Sequence, residues 1–154
     1  MKKEFLLLGI DLGTSGVRLA IINHKYELIH FSSNQYYDGL DNCEDWKNCC
    51  KVLIQEIPNE IKQRIIACSI DGTSGTLMGC DYNGNPLGKA LPYYLYCKDE
   101  ESQVNRILGG AKNKSQNNIS LGKACRLINI YGDKILLRHQ ADWVSGWFLN
   151  DWEY

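Results

Sequence analysis

The chain has 154 residues, 44% of them hydrophobic, and a formal net charge of −1. That length and apolar content support a core burying about 70% of the unfolded chain's surface. The near-zero charge, with lysines and arginines scattered and not interleaved with aromatics, excludes the electrostatic footprint of a nucleic-acid binder.

No apolar run approaches the roughly 20 residues of a membrane span. The stretch after Met1-Lys2-Lys3-Glu4 ends at Asp11 without a small-residue cleavage site, which is too short for a signal peptide. Cys43, Cys49, Cys50, Cys68, Cys80, Cys97 and Cys125 contain no Cys-x-x-Cys pair and fall mostly in apolar periodic segments. Buried reduced thiols, no zinc site and a cytoplasmic setting are the expectation.

Residues 5–10, 17–23 and 26–33 read as three successive strands forming a meander. The first connection carries Asp11, Gly13, Thr14, Ser15, Gly16 and, on the next strand, Arg18. Gly13 and Gly16 permit positive φ and close backbone approach, so consecutive N–H groups can converge on phosphate oxygens, with two hydroxyl donors added. A carboxylate at the strand end, Asp11, suits Mg²⁺ beside a nucleotide triphosphate. The segment is neither a Walker loop, having no Gly-Lys-Ser/Thr, nor a dinucleotide fingerprint, having no Gly-x-Gly-x-x-Gly. An ordinary tight hairpin is the alternative reading of the same turn.

Apolar positions 46, 49, 50, 53, 54 and 57 predict one helical face, ended by Pro58 and followed by a strand at 65–70. Asp71, Gly72, Thr73, Ser74 and Gly75 then repeat the acid-plus-Gly/Thr/Ser pattern after an apolar run, so two such turns can line one cleft. Asn83-Gly84-Asn85-Pro86 signals a turn between antiparallel strands. Residues 101–120, rich in Gly, Asn and Lys, read as a surface excursion. Ser120 is expected to cap a helix with apolar positions 121, 124, 125, 127 and 128, stopped by Gly132. A second helix is expected over about 134–149. It includes His139 and Asp142, read as structural, and Trp147, which with Trp152 reads as core.

Leu8–Arg18, Ile70–Thr76 with Asp81, Leu91–Asp99 and His139-Gln-Ala-Asp-Trp143, in that order, resemble the first domain of FGGY-type carbohydrate kinases over nearly the whole chain. The pentulose kinases, the xylulokinase-like and D-ribulose kinase branch of cyanobacteria and plants, look most similar. The resemblance implies an α/β, ribonuclease H-like (actin-like ATPase) domain over 1–154, with a mixed sheet, an antiparallel meander and packed helices. It implies transfer of the γ-phosphoryl group of ATP to a pentulose, D-ribulose or D-xylulose, with Mg²⁺ held at Asp11. Gly13, Thr14, Ser15, Gly16 and Arg18 would lie at the phosphates; Asp71, Gly72, Thr73, Ser74, Gly75 and Asp99 would face the sugar.

In this family the general base and adenosine pocket come from a second domain, so no catalytic residue is expected in this chain. The excursion at 101–120 corresponds to a shortened insertion over the sugar. The chain reads as the N-terminal half of a kinase, inactive alone, whether through a truncated gene, a split gene completed by a separate chain carrying the other domain, or a boundary of the expressed sequence. The alternative is a non-catalytic remnant kept as a binding or partner module. A chaperone-like or polyphosphate-acting relative shares only the first loop.

Overall fold

A computed structural model of the protein describes residues 5–109 and 119–153. The chain divides into two compact units, Met1–Thr73 and Ser74–Tyr154.

The first unit is a four-stranded sheet in the order β3-β2-β1-β4, with β1 Leu6–Leu12, β2 Gly16–Asn23, β3 Leu28–Gln35 and β4 Ile65–Gly72. The expected meander is present: β1/β2 and β2/β3 are antiparallel, whereas β4 runs parallel to β1. Alternation sets the two faces. Leu6, Leu8, Ile10 and Leu12 of β1 and Val17, Leu19 and Ile21 of β2 are all buried, while the intervening residues are partly or fully exposed.

The helix α1, Cys43–Glu56, buries Trp46, Cys49, Cys50 and Leu53, close to the predicted face. It starts earlier than the apolar pattern, because Asn42 caps it by accepting from the Glu44 amide. Buried Asp45 accepts from the Asp38 and Gly39 amides at 2.6 and 3.3 Å, and Trp46 Nε1 donates to the Leu40 carbonyl at 3.0 Å. The helix ends before Pro58, as predicted, and a single-turn α2, Asn59–Lys62, leads into β4.

The second unit pairs β5, Leu77–Cys80, antiparallel with β6, Leu136–His139, and packs α3 Glu101–Ile107, α4 Ile119–Tyr131 and α5 Gln140–Leu149. Three expectations change here. Residues 101–107 are helical rather than part of an excursion; of that excursion, 110–118 lie outside the described residues. The helix foreseen over 134–149 begins as a strand, because the run Ile135–Leu137 satisfies either period and pairing with β5 decides for the extended form. Ser120 does not cap α4, which already includes Ile119, although Gly132 stops it at φ +85° as foreseen.

After Asn83–Pro86 the chain does double back, but it touches β5 only through isolated bridges, Cys80 with Pro86 and Leu77 with Leu91, rather than as a full strand. Asp81 holds this turn by accepting from the Asn83 and Asn85 amides and from Asn85 Nδ2, which lowers its carboxyl below the ordinary range. Trp143 donates from Nε1 to the Gly84 carbonyl at 2.8 Å, and the Trp152 ring lies against both Gly84 and Gly146. Trp152 and Trp147 are part-buried, consistent with packing.

All seven cysteines are free; Cys68 is exposed and the other six are buried. Among the described residues, no helix is long and apolar enough to cross a membrane.

Candidate functional site

The β1–β2 connection is the three-residue turn Gly13-Thr14-Ser15. The Gly13 amide donates to the Gly16 carbonyl at 2.9 Å, closing the hairpin. Tyr36 braces it twice, its amide donating to the Ser15 carbonyl at 3.0 Å and its hydroxyl to the Gly13 carbonyl at 3.1 Å. The Thr14 and Ser15 amides have no partner among the described residues, and both residues are exposed. Two free N–H groups at the tip of a braced turn can receive an anion.

The glycines work differently from the sequence expectation. Neither Gly13 nor Gly16 has a positive φ. Gly16 is required because β3 passes too close: a Cβ there would overlap the Asn34 carbonyl and come 2.8 Å from Gln35 Cα. The close approach is between strands, with no ligand needed to explain it.

At the end of β1, Asp11 stands opposite Arg18 in the ladder, and Arg18 Nη1 donates to Asp11 Oδ2 at 2.8 Å. Both side chains are at least half exposed, 50% for Asp11 and 62% for Arg18, so the pair is weakly held. Arg18 therefore reaches across the ladder to a carboxylate. On the other side Asp11 is in register with Asp71 of β4. Parallel pairing sends both chains out of the same sheet edge, so the turns after Leu12 and after Gly72 begin side by side. Asp11, Arg18, Ser69 and Asp71 line a shallow depression floored by Gly9, Ala20 and Phe31. Asp71 Oδ1 accepts from the Gly72 amide at 2.8 Å.

The boundary between the units falls inside the second predicted loop: Asp71, Gly72 and Thr73 belong to the first unit, Ser74 and Gly75 to the second. Ser74 is exposed, and Gly75 takes φ +83°, the left-handed conformation that glycine tolerates. The Gly75 carbonyl accepts from Lys123 Nζ at 2.7 Å.

Asp99 lies on a single 3₁₀ turn, Lys98–Glu100, with its side chain 90% exposed and 3.5 Å from Arg126 Nη2. The strong pair is its neighbour's. Buried Glu100 takes Nε and Nη2 of Arg126 in a fork, the shortest contact being 2.8 Å, which pushes the guanidinium pKa up further. His139 ends β6, its Nδ1 3.2 Å from the Thr76 carbonyl. Tyr36, Lys123, Glu100 and Arg126 were not singled out by sequence reasoning. Lys123, the fifth residue of α4 and set amid apolar neighbours, carried a signal, a charge on a buried face.

No protein-family model matches the chain. Solved kinases do match in structure. A xyloylose kinase from Brucella ovis is 16% identical, with TM-score 0.70, covering 92% of this chain and 34% of its own. A glycerol kinase from Plasmodium falciparum, solved with ADP, is 13% identical, with TM-score 0.64 and coverage of 93% and 34%. A xylulose kinase from Bifidobacterium adolescentis is 14% identical, with TM-score 0.63 and the same coverages. The chain spans about a third of the length of these kinases. Its fold is the mixed α/β fold they share, that of the ribonuclease H-like, actin-like ATPases.

Proposed function

We propose that this chain is the N-terminal part of an ATP-dependent carbohydrate kinase of FGGY type acting on a pentulose, D-ribulose or D-xylulose, and that it does not turn over alone. One observation carries the reading: Asp11 and Asp71 end adjacent parallel strands in register, so two Gly/Thr/Ser turns leave one sheet edge together. The donor set fits a nucleotide phosphate with Mg²⁺. A half-exposed carboxylate, Asp11, stands at the strand end, and the unpartnered Thr14 and Ser15 amides sit at the adjoining tip. Bound there, Mg²⁺ would neutralise charge on the transferring phosphoryl group.

In this division of labour Asp11 orients the metal, and Gly13, Thr14, Ser15 and Gly16 form the phosphate turn. Arg18 keeps Asp11 paired until a ligand competes for either group. Asp71, Gly72, Thr73, Ser74 and Gly75 form the sugar side, with Ser74 the hydroxyl contact and Asp99 an outer contact. The general base and the adenosine site of such a kinase lie outside these 154 residues. Without them, positioning and proton transfer, worth about 10⁵–10⁸ M in effective molarity and about 10²–10⁴-fold in rate, are lost.

A coupled assay of the purified chain with D-ribulose or D-xylulose is expected to show no turnover; turnover that Asp11→Ala abolishes would refute the inactivity. Amide NMR titrations separate the two loops. Asp11→Asn is expected to weaken the Mg²⁺–ATP response and spare the pentulose response, Ser74→Ala the reverse, and equal loss of both in either variant would overturn the assignment. The close approach at Gly16, explained by strand packing without a ligand, favours a second reading, a non-catalytic remnant used for binding or partnership. It predicts no nucleotide response at Thr14 and Ser15.

A further inference from the structure

Lys123 is fully buried in α4, yet no carboxylate pairs with it among the described residues. Its ammonium instead donates to two main-chain carbonyls, Gly75 at 2.7 Å and Tyr93 at 3.1 Å. Burial lowers its pKa, the cost expected of a cation taken from water without a counter-ion. An apolar residue would fill a helix face at no such cost. The lysine stands where donors are needed.

The two carbonyls belong to segments already stitched together. The Tyr93 amide donates to the Thr76 hydroxyl at 3.1 Å, the Leu77 and Leu91 amides donate to each other's carbonyls at 3.0 and 2.7 Å, and His139 Nδ1 approaches the Thr76 carbonyl at 3.2 Å. Thr76 is completely buried, whereas Ser74, two residues earlier, is exposed. Gly75, at φ +83°, is the joint between the fixed part and the exposed part, and the Lys123 contact holds its carbonyl.

We propose that Lys123 is a positioning residue that fixes the Ser74–Gly75 turn from α4, and so sets the presentation of the Ser74 hydroxyl to a polyol. The first half rests on geometry alone; the second rests on the kinase-derived reading of the loop.

The test compares Lys123→Met, which keeps the stem and removes the donors, with Lys123→Gln, which keeps two N–H donors on one nitrogen. Amide hydrogen exchange on the full chain is expected to accelerate about tenfold or more at residues 73–76 and at Tyr93 and Tyr94 in Lys123→Met, as for loss of hydrogen bonds from a charged donor. Exchange in β1–β3 should be unchanged, and Lys123→Gln should recover part of the protection. Unchanged exchange at 73–76 in Lys123→Met overturns the proposal. If Lys123→Met melts the whole second unit, Lys123→Gln decides: acceleration confined to the two segments supports it, and uniform or absent acceleration overturns it.

In a second arm, amide shifts at 72–76 are followed with D-ribulose, D-xylulose or glycerol, and at Thr14 and Ser15 with Mg²⁺–ATP. Lys123→Met is expected to lose the polyol response and keep the nucleotide response; an undiminished polyol response overturns the link to Ser74. A wild-type chain silent to all three polyols refutes the polyol reading of the loop, while the exchange arm still decides the pinning.

Discussion

Gly16→Ala tests whether the glycine of the first turn serves the sheet. A Cβ on Gly16 meets only backbone, the Asn34 carbonyl and Gln35 Cα at 2.8 Å, and backbone cannot rotate aside as a side chain does. Overpacking of this kind costs about 1–3 kcal/mol. The Gly→Ala change itself recovers about 0.4–1 kcal/mol by restricting the unfolded chain. With backbone on the receiving side the upper part of that cost applies, about 2–3 kcal/mol, so a net loss of about 1–2.6 kcal/mol remains, which for a chain of this size lowers Tm by about 2–10 °C. Gly13→Ala is the internal control: its Cβ would lie 3.3 Å from the Gly16 carbonyl and 4.0 Å from Arg18 Nη2, tight but open to a small shift. The two variants should differ in thermal melts and in exchange of β2 and β3 amides, with Gly13→Ala within about 0.5 kcal/mol of wild type. If Gly16→Ala melts with wild type, or Gly13→Ala is the more damaged, the glycine at 16 is not explained by strand proximity.

Arg126→Ala leaves the Glu100 carboxylate, only 9% exposed, without its fork, and should cost about 2–4 kcal/mol in urea unfolding; Glu100→Gln combined with Arg126→Met should recover much of that. A cost below about 0.5 kcal/mol would place the pair with ordinary surface bridges. Thiol labelling of native protein near pH 8 should modify Cys68 first, since Cys50 and Cys80 are buried with pKa values pushed up to about 12 and about 11. Burial raises the Cys68 pKa as well, so its labelling should quicken with rising pH, and Cys68→Ser should remove the fast phase; a fast phase surviving that change would contradict the burial of the others. Leu28, Phe31 and Ile66 are 62%, 56% and 67% exposed, so the chain is expected to self-associate at tens of micromolar, an order at which exposed apolar surface matters. Sedimentation as a clean monomer, or association unaffected by Ile66→Lys, would count against that.

Much of the first unit was legible in the sequence because its forces are periodic. The apolar run from Leu6 to Ile10, broken at Asp11, and the spacing of Trp46, Cys49, Cys50 and Leu53 mark a strand and a helix face, and Pro58 marks a helix end by its own chemistry. The second unit was less legible because partners remote in sequence decide it. Leu136 and Leu137 fit helix or strand until β5 is beside them, and the polar stretch Glu101–Ile107 becomes helical where it packs against α4. At the candidate site, the acid and the hydroxyl residues were visible as a motif. The brace Tyr36 was not, and Lys123 showed only as a charge among apolar helix neighbours, since each acts through main-chain carbonyls distant in sequence, which no local pattern encodes.

The sheet order also imposes a sequence of events on folding. Strands β1, β2 and β3 pair with their immediate neighbours in the chain, so the hairpins can close within microseconds of their synthesis. β4 must instead find β1 across the intervening β2, β3 and α1, closing a loop of more than fifty residues whose entropy grows with its length. Until it arrives, β1 is itself an open edge. A ribosome-bound chain should therefore pass through a three-stranded stage in which Asp11 is already in place and Asp71 has yet to be delivered, and the slow step of assembly is the one that brings the two turns together.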